Sequence, residues 1–174
     1  MKQQTDYQEF LKAKQKEHRL SGFDIDESQL NKAMFPFQKF ITKRALKAGK
    51  YAIFADCGLG KSLMQLEWAR LVVENTGKPV LILAPLAVTG QTIKEAAKFN
   101  ISIWSYSDFG KSTHICEKEQ PDEIYISNYE QLENIDCSIF SGVVLDESSI
   151  LKNFEGATKR LILDLMTISL SKKI

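Results

Sequence analysis

The chain has 174 residues, enough for one domain with a hydrophobic core and too few for two domains of ordinary size. Hydrophobic residues make up 44% and charged residues 26%, a mixture that excludes a disordered or fibrous protein. The 23 basic and 22 acidic side chains give a net charge of +1, which excludes the cationic excess of a dedicated nucleic-acid binder. Any contact with DNA therefore depends on where individual charges are placed.

The cysteines and the N-terminal residues indicate the compartment. Cys57, Cys116 and Cys137 lack the paired spacing of zinc ligands, and the chain has only 2 histidines. We interpret them as free thiols in a reducing environment. Residues 1–20 lack the apolar stretch of a secretion signal, and no later run approaches membrane-spanning length. We expect a cytoplasmic protein with no membrane partner.

Predicted helices and strands alternate along the chain. In order, the apolar spacing and the turn residues predict a helix near residues 7–11, a turn over 21–28, a helix over 35–49, a strand over 51–55, a helix over 62–74, a strand over 80–84, a helix over 89–99, strands over 101–106, 124–126 and 143–145, and a helix over 157–166. This alternation favours an α/β fold with a mostly parallel sheet.

A phosphate-binding loop is predicted between the strand over 51–55 and the helix that follows. It fits the P-loop pattern, with alanine in place of the usual first glycine, and consists of Ala55, Asp56, Cys57, Gly58, Leu59, Gly60, Lys61 and Ser62. Backbone N–H groups from Cys57 to Ser62 would surround the phosphates of ATP, and the glycines would let the backbone approach them closely. Lys61 would neutralise phosphate charge. An ordinary glycine turn is the alternative.

Two adjacent acids supply the partner that a P-loop requires. The apolar run over 143–145 predicts a buried strand that ends at Asp146 and Glu147. Asp146 and the Ser62 hydroxyl would hold Mg²⁺, while Glu147 would orient and deprotonate the attacking water. The predicted catalytic residues are therefore Glu147 and Lys61. Taken alone, such an acidic pair is also typical of a solvated turn.

With these residues, the chain resembles the first motor domain of superfamily-two helicases, and within it the Swi/Snf-type DNA translocases carried by phages and prophages. The resemblance spans about residues 35–165. It is strongest at Asp146-Glu147-Ser148-Ser149-Ile150-Leu151-Lys152-Asn153, which matches the family pattern D-E-x-H-x-x-K-N except that Ser149 replaces histidine.

Three shorter segments also resemble family motifs. Phe35-Pro36-Phe37-Gln38 is similar to the segment whose glutamine reads adenine, Leu83-Ala84-Pro85-Leu86 to a strand end that meets the DNA backbone, and Ser127-Asn128-Tyr129-Glu130 to a further DNA-binding motif. The resemblance thus adds Gln38 to the nucleotide site. Taken singly, Gln38 is also compatible with an exposed helix residue, Pro85 with a strand end and Tyr129 with a core aromatic.

The resemblance implies a three-layer, RecA-like P-loop domain that binds ATP and Mg²⁺. It divides the chain into an N-terminal helical extension over 1–33 and an ATP-binding domain over 34–174 that is incomplete at its C-terminus. It also implies two partners: DNA, contacted through its backbone and as a duplex, and a second RecA-like domain in cis or in trans. The isolated chain is then expected to bind ATP better than it hydrolyses it.

Two other functions remain open from the sequence. One is a stand-alone nucleotide-binding module that regulates a partner and has no motor activity. The other is a small P-loop kinase, which would need a lid with catalytic arginines. The chain contains only Arg19, Arg44, Arg70 and Arg160, and no arginine-rich lid segment is visible.

Overall fold

Four parallel strands form the central sheet. A computed structural model of the protein describes residues 20–108 and 123–147. Within these ranges the strands are β1 (Val80–Ala84), β2 (Ile103–Ser105), β3 (Ile124–Asn128) and β4 (Gly142–Leu145). They lie in the order β2-β3-β1-β4, and every neighbouring pair is parallel. The expected α/β fold with a parallel sheet is confirmed.

Helices precede the first strand and connect several of the strands in the described part of the chain, as parallel pairing favours. The α-helices are α1 (Pro36–Ala48), α2 (Lys61–Thr76) and α3 (Leu86–Lys98). Short 3₁₀ helices occupy Glu27–Gln29, Tyr106–Asp108, Tyr129–Asn134 and Cys137–Ile139. Proline at the first position of α1 fits a helix start, and Gly49 ends this helix with a φ of +76° that favours glycine.

The alternation of side chains along the strands produces three layers. Val80, Ile82 and Ala84 of β1 pack in one buried cluster together with residues of the three α-helices. Leu81 and Leu83 point to the opposite face, where the buried cluster also contains Tyr129, Leu132 and Ile135 from the 3₁₀ segment and the residue after it. All five residues of β1 are buried, so this strand forms the centre of the core.

The strand predicted over residues 51–55 does not form, and this prediction is wrong. Residues 51–56 have no regular secondary structure. A strand needs a hydrogen-bonded neighbour, and β4, at the edge of the described sheet, pairs only with β1. The segment nevertheless keeps an alternating exposure: Ile53 and Ala55 pack against the core, whereas the side chain of Phe54 is 96% exposed.

The other predicted elements in the described ranges are confirmed, with small shifts at their ends, except that the strand expected to be buried over 143–145 is half-buried along its length. The third helix begins three residues earlier than predicted because Pro85 caps it directly after β1. The predicted strand over 101–106 is shorter, since Tyr106 already begins a 3₁₀ helix. The helices predicted near 7–11 and over 157–166 lie outside the described residues. In the described part of the chain, no helix combines the length and apolar character needed to cross a membrane.

Candidate nucleotide-binding site

The structure brings the predicted loop and the predicted acids to the same edge of the sheet. Two contacts indicate that helix α2 runs antiparallel to β4. The hydroxyl of Thr76, at the C-terminal end of α2, lies 3.0 Å from the hydroxyl of Ser141, just before β4. Further along, Trp68 lies against Gly142, where an added Cβ would be 2.9 Å from the indole ring.

Helix and strand geometry then determines how far the N-terminus of α2 and the C-terminal end of β4 extend along the sheet. From Trp68 to Lys61 the helix rises about 10 Å. From Gly142 to Asp146 the strand rises about 13 Å in the opposite chain direction. The N-terminus of α2 and the end of β4 therefore reach a similar level at the carboxyl edge of the sheet, where open α/β sheets bind their ligands.

Glycines shape the loop before α2. Gly58 and Gly60 have φ values of +81° and +71°, in the left-handed region that favours glycine. The first hydrogen bond of the helix runs from the Met64 N–H to the Gly60 carbonyl. The N–H groups of Lys61, Ser62 and Leu63 accordingly have no acceptor within the helix, which leaves them available to an anion at its N-terminus.

Lys61 closes the loop on itself. Its ammonium group donates a hydrogen bond of 2.9 Å to the carbonyl of Ala55, at the start of the loop. At the loop's crown, the Cys57 N–H donates to the carboxylate of Asp56 at 2.8 Å, and both of these residues are exposed. A ligand that offers phosphate oxygens would compete with the Ala55 carbonyl for Lys61, and it would gain a charge-assisted contact.

Gln38 ties α1 to this loop. Its Nε2 donates to the Leu59 carbonyl at 3.0 Å, and its Oε1 accepts from the Phe35 N–H at 2.8 Å. The side chain is buried, with 3% exposure. An added Cβ on Gly60 would lie only 2.4 Å from Nε2, so the loop and the amide are in close contact. Gln38 therefore belongs to the loop's architecture, and the alternative of an exposed helix residue is excluded.

A buried ionic group anchors the segment that leads into α1. Glu67 of α2 has an exposure of 0% and accepts a 2.8 Å hydrogen bond from the Asn31 N–H. Arg70 pairs with Glu67 at 2.6 Å, pairs with Glu74, and donates to the Gln29 carbonyl at 2.7 Å. These carboxylates raise the pKa of Arg70 further, Glu67 contributing most, so the guanidinium stays charged.

The acidic half of the site is built on the sheet. Asp146 directly follows β4, and its N–H donates to the Leu83 carbonyl at 2.8 Å, which extends the pairing with β1 by one residue. Asp146 is half-buried and Glu147 is exposed. Glu147 has a φ of +51°, unusual for a residue with a side chain, and its N–H donates to the Asp146 carboxylate at 3.0 Å.

Tyr129 supports this corner from the core. The ring has 1% exposure, and the hydroxyl donates a 2.6 Å hydrogen bond to the Asp146 carbonyl. Burial, together with the nearby carboxylates of Asp146 and Glu147, raises the pKa of Tyr129 well above its ordinary value. The hydroxyl therefore remains a neutral donor at physiological pH. The core-aromatic alternative for Tyr129 is confirmed, and its ring is not exposed to a DNA backbone.

Of the two remaining segments that resemble family motifs, one lies within the described residues and one outside them. Leu83 and Ala84 end β1, and Pro85 caps α3, so this segment is a strand end as expected. Positions 148–153, including Ser149, lie outside the described residues.

Sequence reasoning missed Glu67 and the supporting role of Tyr129. A signal for Glu67 was present, since a glutamate within an apolar stretch of helix, three residues before an arginine, often marks a buried pair.

The oxygen atoms available at this edge suit magnesium better than a transition metal. Ser62 offers a hydroxyl at the start of α2, and Asp146 offers a carboxylate. Within residues 20–108 and 123–147, no group of three or more His, Cys, Asp or Glu side chains is placed to hold a metal ion by itself. Mg²⁺ is usually bound by one or two protein oxygens together with substrate phosphates and water, so the donor set fits that ion.

An open groove of about 340 Å³ lies elsewhere, beside Ile93, Ala97 and Trp104. Several of its lining residues precede β2, so it lies towards the amino ends of the strands, away from the loop and the acids.

Comparisons with known proteins add no assignment: no protein-family model matches the sequence, and a search of curated proteins finds no significant match.

Proposed function

We propose that the chain is the ATP-binding motor domain of a DNA helicase or translocase, in which ATP hydrolysis is coupled to movement on DNA. One observation carries the proposal: α2 runs antiparallel to β4, so that Lys61 and Asp146 come to the same edge of a parallel sheet. A P-loop lysine at a helix N-terminus and an acid at the end of a nearby parallel strand form the minimal set for phosphoryl transfer.

The residues divide the work by their chemistry. Lys61 and the N–H groups from Cys57 to Ser62 bind the phosphates. Ser62 and Asp146 would hold Mg²⁺, which would neutralise phosphate charge when bound. Glu147 follows Asp146 on an exposed turn and is the candidate base for water. A positive φ in a residue with a side chain costs free energy, and such strain is often retained at functional positions.

The motor function requires more than this site. The proposal includes a second RecA-like domain, in cis or in trans, whose arginines would stabilise the transferred phosphoryl group, and duplex DNA contacted through its backbone. We also propose that the protein is located in the cytoplasm. The helicase assignment depends on the resemblance of the motifs, whereas nucleotide binding is supported by the geometry as well.

The decisive experiment measures binding of Mg²⁺-ATP to the 174-residue chain by calorimetry, beside Lys61→Ala and Lys78→Ala. Both variants lose one lysine charge, but Lys78 is exposed after the C-terminal end of α2, far from the loop. We expect Lys61→Ala to weaken binding by at least about tenfold, since charge-assisted hydrogen bonds contribute about 1.5–3 kcal/mol. Lys78→Ala should bind like the unchanged chain.

Measurements of ATP hydrolysis and of DNA binding distinguish the motor from the two alternative functions. The motor proposal predicts slow hydrolysis by the chain alone and a DNA affinity that falls steeply as salt increases. Equal binding by the two lysine variants, or no binding, would overturn the nucleotide site. ATP binding without any affinity for DNA would favour the regulatory module, and brisk turnover without DNA would favour a self-sufficient P-loop enzyme.

A further inference from the structure

The amide of Gln38 is already engaged by backbone groups. One partner is a donor, the Phe35 N–H, and the other is an acceptor, the Leu59 carbonyl. This pair of partners fixes which end of the amide is oxygen and which is nitrogen. With 3% of the residue exposed, little amide surface remains for a nucleobase.

Moving Gln38 towards a ligand would be costly. The amide would give up both hydrogen bonds and leave the Phe35 N–H and the Leu59 carbonyl without these partners. The segment before it cannot follow freely, since Asn31 and Gln29 are held by the buried Glu67 and by Arg70. The amide is therefore fixed from both sides, by the segment leading into α1 and by the loop before α2.

The contact reaches the part of the loop that determines phosphate binding. Leu59 and Gly60 lie directly before Lys61, and their backbone conformation aims the first N–H groups of α2. Nε2 lies so close to Gly60 that a Cβ there would meet it at 2.4 Å. At Gly58, which has a similar positive φ, a Cβ would meet nothing within 4 Å.

We propose that Gln38 is a positioning residue that acts through Leu59 and Gly60 to hold the phosphate-binding loop in shape, so that its contribution to affinity does not depend on the base. The inference rests on the proposed nucleotide site. It assigns to the glutamine a role at the phosphate end of the ligand, where a base-reading role would act at the other end.

Three ligands that share phosphates but differ in the base test this assignment. The dissociation constants of Mg²⁺-ATP, Mg²⁺-GTP and Mg²⁺-tripolyphosphate are measured for the unchanged chain, Gln38→Ala and Gln38→Met. We expect both variants to weaken all three ligands by a similar factor of about tenfold, the effect of losing one buried hydrogen bond. A loss confined to ATP, or no loss for any ligand, would overturn the inference.

Two controls separate positioning from misfolding. Calorimetry reports the number of sites apart from the affinity, so a partly unfolded sample lowers the stoichiometry and leaves the dissociation constant unchanged. Thr42→Val changes a residue one turn further along α1 that has 0% exposure and whose hydroxyl has no hydrogen-bond partner in the described part of the chain. This variant should bind all three ligands normally.

The two loop glycines give an independent readout. Gly58→Ala and Gly60→Ala both introduce a Cβ at a positive φ, but only the second meets Gln38. We expect Gly60→Ala to lower the thermal midpoint more, and this excess to disappear when Gln38→Ala is also present. An equal loss for both glycines, or an excess that persists without the amide, would show that Gln38 does not shape the loop.

Failure of this inference differs from failure of the proposed function. If Lys61→Ala does not weaken binding, the nucleotide site itself is wrong. If Lys61→Ala does weaken it while Gln38→Ala affects ATP alone, the site stands and Gln38 reads the base.

Discussion

The two halves of the candidate site are held by different means. The loop from Asp56 to Gly60 is mostly exposed, and side chains hold it: Gln38 donates to the Leu59 carbonyl, and Lys61 donates to the Ala55 carbonyl. Asp146, in contrast, is fixed by a backbone bond to Leu83 that continues the sheet and by the hydroxyl of a buried tyrosine. The phosphate half is therefore adjustable at Lys61, and the acidic half is built onto the end of the sheet.

This difference indicates how a ligand would be received. An incoming phosphate has to displace only the bond between Lys61 and the Ala55 carbonyl to gain the ammonium group. The acidic corner needs no such exchange, because its position follows from β4 and Tyr129. Sites that must reshape around a ligand draw on regions of low local stability, whereas groups that fix geometry are placed on rigid elements.

The largest expected effect is at the buried anchor of the adjustable half. Glu67→Ala removes a fully buried carboxylate and leaves Arg70 and the Asn31 N–H without it. Breaking a buried pair costs about 3–5 kcal/mol, so the free energy of unfolding should fall by that amount. Urea denaturation measures it.

The control for this change is the exposed partner of the same arginine. Glu74 also pairs with Arg70, but its side chain is 55% exposed. Exposed pairs contribute about 0–1 kcal/mol, so Glu74→Ala should have a much smaller effect. Equal losses for Glu67→Ala and Glu74→Ala would show that the segment before α1 does not depend on the buried anchor.

A smaller effect is expected at the rigid half. Tyr129→Phe keeps the buried ring and removes the hydroxyl that donates to the Asp146 carbonyl. The loss of one part-buried hydrogen bond should lower the free energy of unfolding by about 1 kcal/mol. Because Asp146 is then less firmly held, the Mg²⁺-dependent part of ATP affinity should also fall.

Tyr125→Phe is the matched control, since this residue is buried on the same side of the sheet and its hydroxyl donates to Glu123 instead. It should leave the Mg²⁺-dependent part of ATP affinity unchanged. If Tyr125→Phe and Tyr129→Phe alter that affinity alike, Tyr129 has no specific role at Asp146.

The pH dependence of the free energy of unfolding, measured for the unchanged chain and for Tyr129→Phe, tests the role of Tyr129 further. The folded chain raises the pKa of Tyr129, so the neutral phenol is favoured in the folded state. Its contribution is complete below the ordinary pKa near 10 and is lost as the pH rises towards the higher folded value. The stability difference between the unchanged chain and Tyr129→Phe should therefore be constant up to about pH 10 and shrink above it. A constant difference at all pH values would contradict the raised pKa.

The sequence predicted the helix and the strand that carry the candidate site better than it predicted the strand over 51–55. The helix α2 begins at Lys61, directly after Gly60, as the spacing of a phosphate loop predicts. The strand β4 ends directly before Asp146, as the apolar run over 143–145 predicts. Both signals are local in the chain, and the parallel sheet followed from the alternation of helices and strands.

What the sequence could not predict depends on contacts between distant residues. Gln38 reaches Leu59 across 21 positions, Tyr129 reaches Asp146 across 17, and Asn31 reaches Glu67 across 36. No periodicity encodes such pairs. The segment over 51–55 has the composition of a strand, but a strand also requires a neighbour, and that is a property of the assembled sheet.

The smallest expected effect tests this last point. Phe54→Ala removes an aromatic side chain that is 96% exposed, whereas Ile53→Ala removes one that packs against the core. Exposed substitutions usually change stability by less than about 0.5 kcal/mol, so Phe54→Ala should be nearly neutral in urea denaturation and Ile53→Ala clearly destabilising. The contrast follows from an extended segment whose Ile53 packs against the core and whose Phe54 is exposed in the part of the chain that the structure describes. A large loss for Phe54→Ala would mean that this face is covered in solution, and the segment would then be part of a larger sheet or an interface.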